Sequence, residues 1–246
     1  MDGSKGMKST MVARVRHAWP AVALLGWLVV AAAAIAQPAP EVVELARGWD
    51  HVNFEIQNPA AQIAAADALA QQAQAVANNR PGDPGPLIWE AAAMLAKADA
   101  RHDLSSLGLA RQARRLLEQA VADGATGEDG AFAHAVLGVL YGETPGFPLG
   151  FGDRKKARAE FAKAFALAPD NIDVNVSYAD FLLDQKDAKG AIDAAQHGLN
   201  APPRPGREVG DKGRRQEAAR VIAKAQREMG KPEGSSAPAG PTGSRS

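Results

Sequence analysis

Residues 172–203 read IDVNVSYADFLLDQKDAKGAIDAAQHGLNAPP, and their spacing decides the fold. Tyr178-Ala179 sets a small residue where one helix touches another. Ala191 sets a second on a following helix, and Leu199 and Pro203 close the unit. The stretch before it, from Ala131, follows the same scheme. Leu137-Gly138 and Tyr141 open it, Ala157, Phe161 and Ala164 continue it, and Pro169 ends it. Pro169 and Pro203 stand 34 residues apart, and so do Ala157 and Ala191. A fixed period of about 20 to 50 residues marks stacked repeats, each burying its apolar face against its neighbours. The repeated unit is a helical hairpin.

Working outward, the same pattern reaches the rest of the chain. Leu107-Gly108, Arg111, Ala113-Arg114, Leu117 and Ala120 recur 44 residues later as Phe151-Gly152, Lys155, Ala157-Arg158, Phe161 and Ala164. That echo predicts two hairpins with insertions of nearly equal length, at 101–107 and 142–153. Asn58-Pro59 is a cap followed by a first-turn proline, so a helix starts there and stops at Arg80-Pro81-Gly82. Glu41 to Phe54 reads as the helix before it, with Trp49 in the core. Another runs from Leu87 to Ala100. Asp211 to Met229 is amphipathic, with Ala218, Val221, Ile222 and Ala225 on one face, and serves as the closing helix of an array. No stretch alternates apolar and polar residues long enough to be a strand. The expectation is an all-α molecule of paired helices forming an open, curved rack over residues 37–229.

The two ends differ from this body. Lys5, Lys8, Arg14 and Arg16 precede an apolar run from Ala21 to Ala36 that ends in Ala34-Ile35-Ala36. That is the layout of a cleaved export leader, residues 1–36, with cleavage after Ala36 and a periplasmic destination. An uncleaved anchor is the alternative, but the run is shorter than the ~20 apolar residues of a spanning helix. No stable membrane span is therefore expected after cleavage. Residues 230–246 are Gly, Pro, Ser and Ala with little apolar bulk, and are expected to be a disordered tail. The sequence has 28 basic and 28 acidic residues; losing the leader's four basic residues and Asp2 leaves 24 and 27. A net charge near −3 gives no footprint for nucleic acid. With no cysteine, disulfides and thiol chemistry are excluded.

On these residues the chain resembles the tetratricopeptide repeat (TPR) family, through Leu137-Gly138-x-x-Tyr141, the alanines and the prolines, with Trp89, Ala92 and Ala93 similar to the start of a further repeat. The resemblance implies a right-handed α-solenoid of about four TPR-like hairpins with a C-terminal capping helix. It also implies a scaffold that binds a protein or peptide partner without catalysis. Tyr141, the run from Pro145 to Asp153, Lys156-Ala157, Asn171-Ile172-Asp173 and Ala179 to Leu183 are similar to exported bacterial TPR proteins resembling the T component of TRAP-type transporters. That likeness implies docking on a transporter's solute-binding protein, or handling of a small apolar ligand in a pore.

Candidate functional residues are few. No phosphate-binding Gly-x-x-x-x-Gly-Lys, Gly-x-Ser-x-Gly or His-Glu-x-x-His motif occurs, so no catalytic residue, metal ligand or cofactor is assigned. His134 reads as a structural histidine within a repeat. Asp180 and Asp184 are i, i+4 and share a helix face. At repeat spacing Asp173, Val176, Asp180 and Leu183 line the groove, where with Asp184 they form a surface for a basic peptide; a solvated acidic face is the alternative. Phe147, Leu149 and Phe151 make the 142–153 loop too apolar to stand in water, so they are expected to be buried or to form a partner patch. Arg204, Arg207, Arg214 and Arg215 are expected to neutralise the acids of the neighbouring hairpin.

Overall fold

Side-chain caps set where four of the helices begin. The computed structural model describes residues 38–230 except 102 and 104; the expected leader, and the expected tail beyond Gly230, lie outside these residues. Among them are nine helices and no strand: α1 (Pro40–Phe54), α2 (Pro59–Asn79), α3 (Gly85–Arg101), α4 (Ser106–Ala122), α5 (Gly127–Glu143), α6 (Arg154–Leu167), α7 (Ile172–Asp184), α8 (Ala188–Leu199) and α9 (Glu208–Met229). Asn58 Oδ1 accepts from the Ala61 N–H at 3.0 Å. Asp153 accepts from Lys155 and Lys156, Asn171 from Asp173 and Val174, and Asp187 from Gly190. Each such cap is worth about 1 kcal/mol.

The helices pair in chain order, α1 with α2, α3 with α4, α5 with α6 and α7 with α8, and α9 covers α7 and α8. The molecule is an all-α array of helical hairpins. Small side chains make the seams, as the repeat spacing requires. Ala113, Leu117 and Ala120 on α4 and their echoes Ala157, Phe161 and Ala164 on α6 are all fully buried. The two insertions differ, however. Residues 102–105 join α3 to α4, whereas 144–153 join α5 to α6. The first hairpin takes up its extra residues as helix, since α4 has 17 residues and α6 has 14. The 44-residue echo follows packing positions, not loop length.

The array is not an open rack. The odd-numbered helices form an inner layer in which α1 touches α3, α3 touches α5, α5 touches α7, α7 touches α9, and α9 returns to α1. The even-numbered helices lie outside. Each outer helix runs back between two inner ones, so the five inner helices point the same way around a common axis.

Three features seat α9 on α1. Arg207 donates to both oxygens of Asp50, at 2.6 and 2.8 Å, and Asp50 is 1% exposed. Arg47 Nε donates to the Gly206 carbonyl at 3.1 Å. Gly210 and Gly213 bring the α9 backbone against Asp50 and the Phe54 ring, where any Cβ would collide. Burial pushes the Asp50 carboxyl above its ordinary pKa, and Arg207 offsets that only in part. Removing Arg207 therefore strands a buried carboxylate. Arg207→Met should destabilise the fold by about 3–5 kcal/mol at neutral pH. The loss should shrink as acid protonates Asp50, and Asp50→Asn in the same chain should restore much of it. Thermal melts of the two variants across pH check this; a pH-independent loss would contradict it.

Candidate functional site

The five inner helices, with the start of α4 and the α5–α6 loop, line a chamber of about 660 Å³ that is open to solvent. One end is shut by aromatic packing. Trp49 (α1), Trp89 (α3) and Phe132 (α5) lie with ring centroids 4.9–6.0 Å apart, the Trp89–Phe132 pair stacked. The Arg207 guanidinium covers Trp89 at 5.2 Å and Arg214 covers Trp49 at 5.4 Å. Such cation–ring contacts add of order 1 kcal/mol when desolvated. Trp49, Phe132 and Arg214 also line the chamber, so the closed end is both floor and seal.

Beneath the floor is an ion network. Asp173, 1% exposed, accepts from Arg204 Nη1 at 2.6 Å and Arg214 Nε at 2.8 Å. Arg204 also donates to Asp211 at 2.8 Å, and Arg214 to Glu217 at 2.7 Å. Burial alone would raise the Asp173 pKa, but the two guanidiniums hold it far below the carboxylate range. The expected neutralisation of acids by these arginines holds for Arg204 and Arg214. Arg207 instead reaches Asp50 on α1.

The walls are mainly apolar, with Leu95, Val136, Val139, Leu140, Val176 and Val221, and carry Asn53, Ser177 and Glu217 among them. The far end, at the C-terminal turns of the inner helices, is acidic. Asp99, Glu143 and Asp180 line it, together with Lys224 and Arg220. Carboxylates at helix C-termini oppose the helix dipole. Glu143 is exposed at the mouth, yet protein crowds its carboxyl from the other sides. That burial, reinforced by repulsion from Asp180, Asp184 and Asp99, pushes its pKa up to about 7. Burial and the Asp184 charge likewise raise Asp180.

The structure divides the expected site residues. Val176 and Asp180 are on the chamber wall, and Asp184 is exposed beyond Asp180. Asp173 and Leu183 correct the expected groove surface: Asp173 is locked in the ion network, and Leu183 is core at 1% exposure. Phe151 is half-buried, edge-on to Tyr141 at 6.0 Å. Phe147 and Leu149 are not buried, contrary to the reading of that loop as too apolar for water; they are 93% and 71% exposed. His134 bridges α5 to α6 through Glu160 at 2.6 Å, a structural contact. Sequence reasoning missed Glu143, the most perturbed carboxylate at the mouth. Its signal was its place one turn from Val139 and Leu140 on a repeat's inner helix. No group of three or more His, Asp or Glu suited to a metal ion occurs among the described residues. None of their helices is long and apolar enough to cross a membrane.

No family model matches the sequence, and a search of curated proteins finds no match. Among solved structures the chain is similar to a thermophilic TPR protein of Thermus thermophilus. The identity is 19%, the TM-score is 0.48, and the match covers 63% of this chain and 73% of that one.

The mouth has a pH signature. With a folded-state pKa near 7 against an ordinary 4.5, Glu143 favours the folded state while protonated. Its contribution is intact below about pH 4.5 and lost as pH rises through 7. Glu143→Gln should therefore match the wild type at pH 4 and be more stable at pH 8, by of order 1 kcal/mol once solvent screening is allowed for. Melting curves of both chains across that range check it; identical pH profiles would contradict it.

Proposed function

We propose that the chain is a non-catalytic binding protein whose central chamber encloses a small ligand with an apolar body. One observation carries this: all five inner helices converge on one chamber, with Trp49 and Phe132 at one end and walls that are mainly aliphatic. Its volume falls within the ~300–1,000 Å³ of small-molecule sites. The acidic mouth favours a ligand whose polar end is a cation over one ending in a carboxylate.

On this reading the leader-like residues 1–36 direct the chain to the periplasm, where it serves a transport system, passing a solute to or from its carrier. The TRAP-like features of the sequence support that assignment. A second reading is a protein or peptide partner that seats basic side chains at the mouth; the exposed, one-turn-spaced carboxylates of Asp180 and Asp184 favour it.

Calorimetric titration with a long-chain amine, the matching alcohol and the matching carboxylate tests the first reading. The amine and the alcohol should bind, the amine more tightly. Ala96→Phe/Val136→Phe, which fills the chamber from two walls, should bind at least about tenfold more weakly. No binding by any of the three, or equal binding by a folded filled variant, would overturn it. A lysine-rich peptide that binds where all three probes fail would favour the second reading.

A further inference from the structure

The loop between α5 and α6 holds two apolar side chains out into water on a rigid base. Phe147 and Leu149 are its tip, and no other large apolar side chain among the described residues is as exposed. The base is tied down at several points. Asp153 N–H donates to the Tyr141 carbonyl at 2.8 Å, Gly152 N–H to Pro145 at 2.9 Å and Gly150 N–H to Gly146 at 3.1 Å. Arg111 Nη2 donates to the Leu149 carbonyl at 2.9 Å. Phe151 packs under the Arg114 guanidinium at 4.4 Å. At Gly152 the Thr144 carbonyl comes where a Cβ would sit, so the loop closes tightly on itself. A loop with this much internal bonding could have turned its Phe and Leu inward. It presents them instead.

The surroundings of the tip are basic. Arg111 and Arg115 on α4 and Arg154, Lys155 and Lys156 on the first turn of α6 are all exposed. Two acids beside the loop are engaged, while Asp99, Asp180 and Asp184 stay with the chamber mouth around Glu143. Asp153 caps α6, and Glu118 accepts from the Tyr141 hydroxyl at 2.8 Å and faces Arg114 at 3.5 Å. Glu143, at the start of the loop, is only partly ionised at neutral pH. Two apolar side chains are far short of the ~800 Å² per partner of a standard protein interface. Apolar anchors ringed by cations are what an anionic bilayer surface takes.

We propose that this tip docks the protein on a bilayer containing anionic lipid. Phe147 and Leu149 enter the interface, and Arg111, Arg154, Lys155 and Lys156 meet the headgroup phosphates. Thr144 and Pro145 belong both to this loop and to the chamber wall. If the chamber binds an amphiphile as proposed above, docking keeps the protein at the surface from which such a ligand would come. The docking itself stands without that reading.

Flotation with vesicles of phosphatidylcholine alone, or with phosphatidylglycerol added, tests the proposal on the full chain. Wild type should float with the anionic vesicles, less so as salt is raised, and weakly with the neutral ones. Phe147→Ser/Leu149→Ser should melt as the wild type does, since both side chains are exposed, and lose at least about tenfold in partition. Arg154→Glu/Lys155→Glu should lose the preference for anionic lipid. Any contribution of residues 1–36 is common to all these chains and cancels in the comparison. No flotation of the wild type, or equal flotation of the serine pair, would overturn the proposal. So would a serine pair that floats normally but no longer captures a protein partner. Failure of the amine titration with flotation intact would sink the chamber reading alone.

Discussion

The seating of α9 on α1 is the constraint on which the rest depends. Without it the hairpins form a strip with a concave side; with it the strip becomes a ring with an inside. The contact is made by groups that are costly to bury. Asp50 has too little compensation from Arg207 to hold an ordinary pKa, and buried ion pairs of this kind seldom add much net stability. Their value is in register. A bidentate guanidinium and a backbone that approaches only where Gly210 and Gly213 have no side chain fix one relative position of two helices about 160 residues apart in the chain. Apolar packing supplies the stabilisation, and the polar contacts select the arrangement.

The chamber's two ends follow from the shared direction of the inner helices. At their N-terminal ends Asp173 has two arginines within 2.8 Å, and the aromatic cluster seals the floor above them. At their C-terminal ends Glu143, Asp180 and Asp184 gather with fewer cations and against the helix dipoles. The first arrangement is satisfied and rigid. The second is left with surplus negative charge, which explains why Glu143 titrates near neutrality. An imbalance confined to the solvent-facing end of an apolar chamber suits a surface that meets a ligand.

Much of this is legible in the sequence. The 34-residue period and the placement of Ala157, Phe161, Ala164 and Ala191 mark the seams, because a small residue at a helix crossing depends only on local spacing. Asn58, Asp153 and Asn171 signal helix starts for the same reason. Closure is not legible in this way. Sequence proximity matches the arginines around Pro205 to the nearest acids, which is right for Arg204 and Arg214 and misses the pairing of Arg207 with Asp50. The available sign is Gly210 and Gly213, three apart at the start of the closing helix, where glycine only weakens a helix unless something packs against it. Spacing misplaces Asp173 because it resembles that of Val176 and Asp180. One turn nearer the helix start, Asp173 falls below the floor. Hydrophobicity alone puts Phe147 and Leu149 inside; a rigid loop can hold them out.

Closure is tested most directly by the distance between the two ends of the array. The chain has no cysteine, so Glu55→Cys and Gln216→Cys, both at exposed positions on or just after α1 and on α9, can carry a pair of spin labels without background. Pulsed dipolar spectroscopy should give one short, narrow distance distribution, unchanged by moderate salt because the contact is buried. A broad distribution reaching to the span of an open strip would contradict the ring, and with it the chamber.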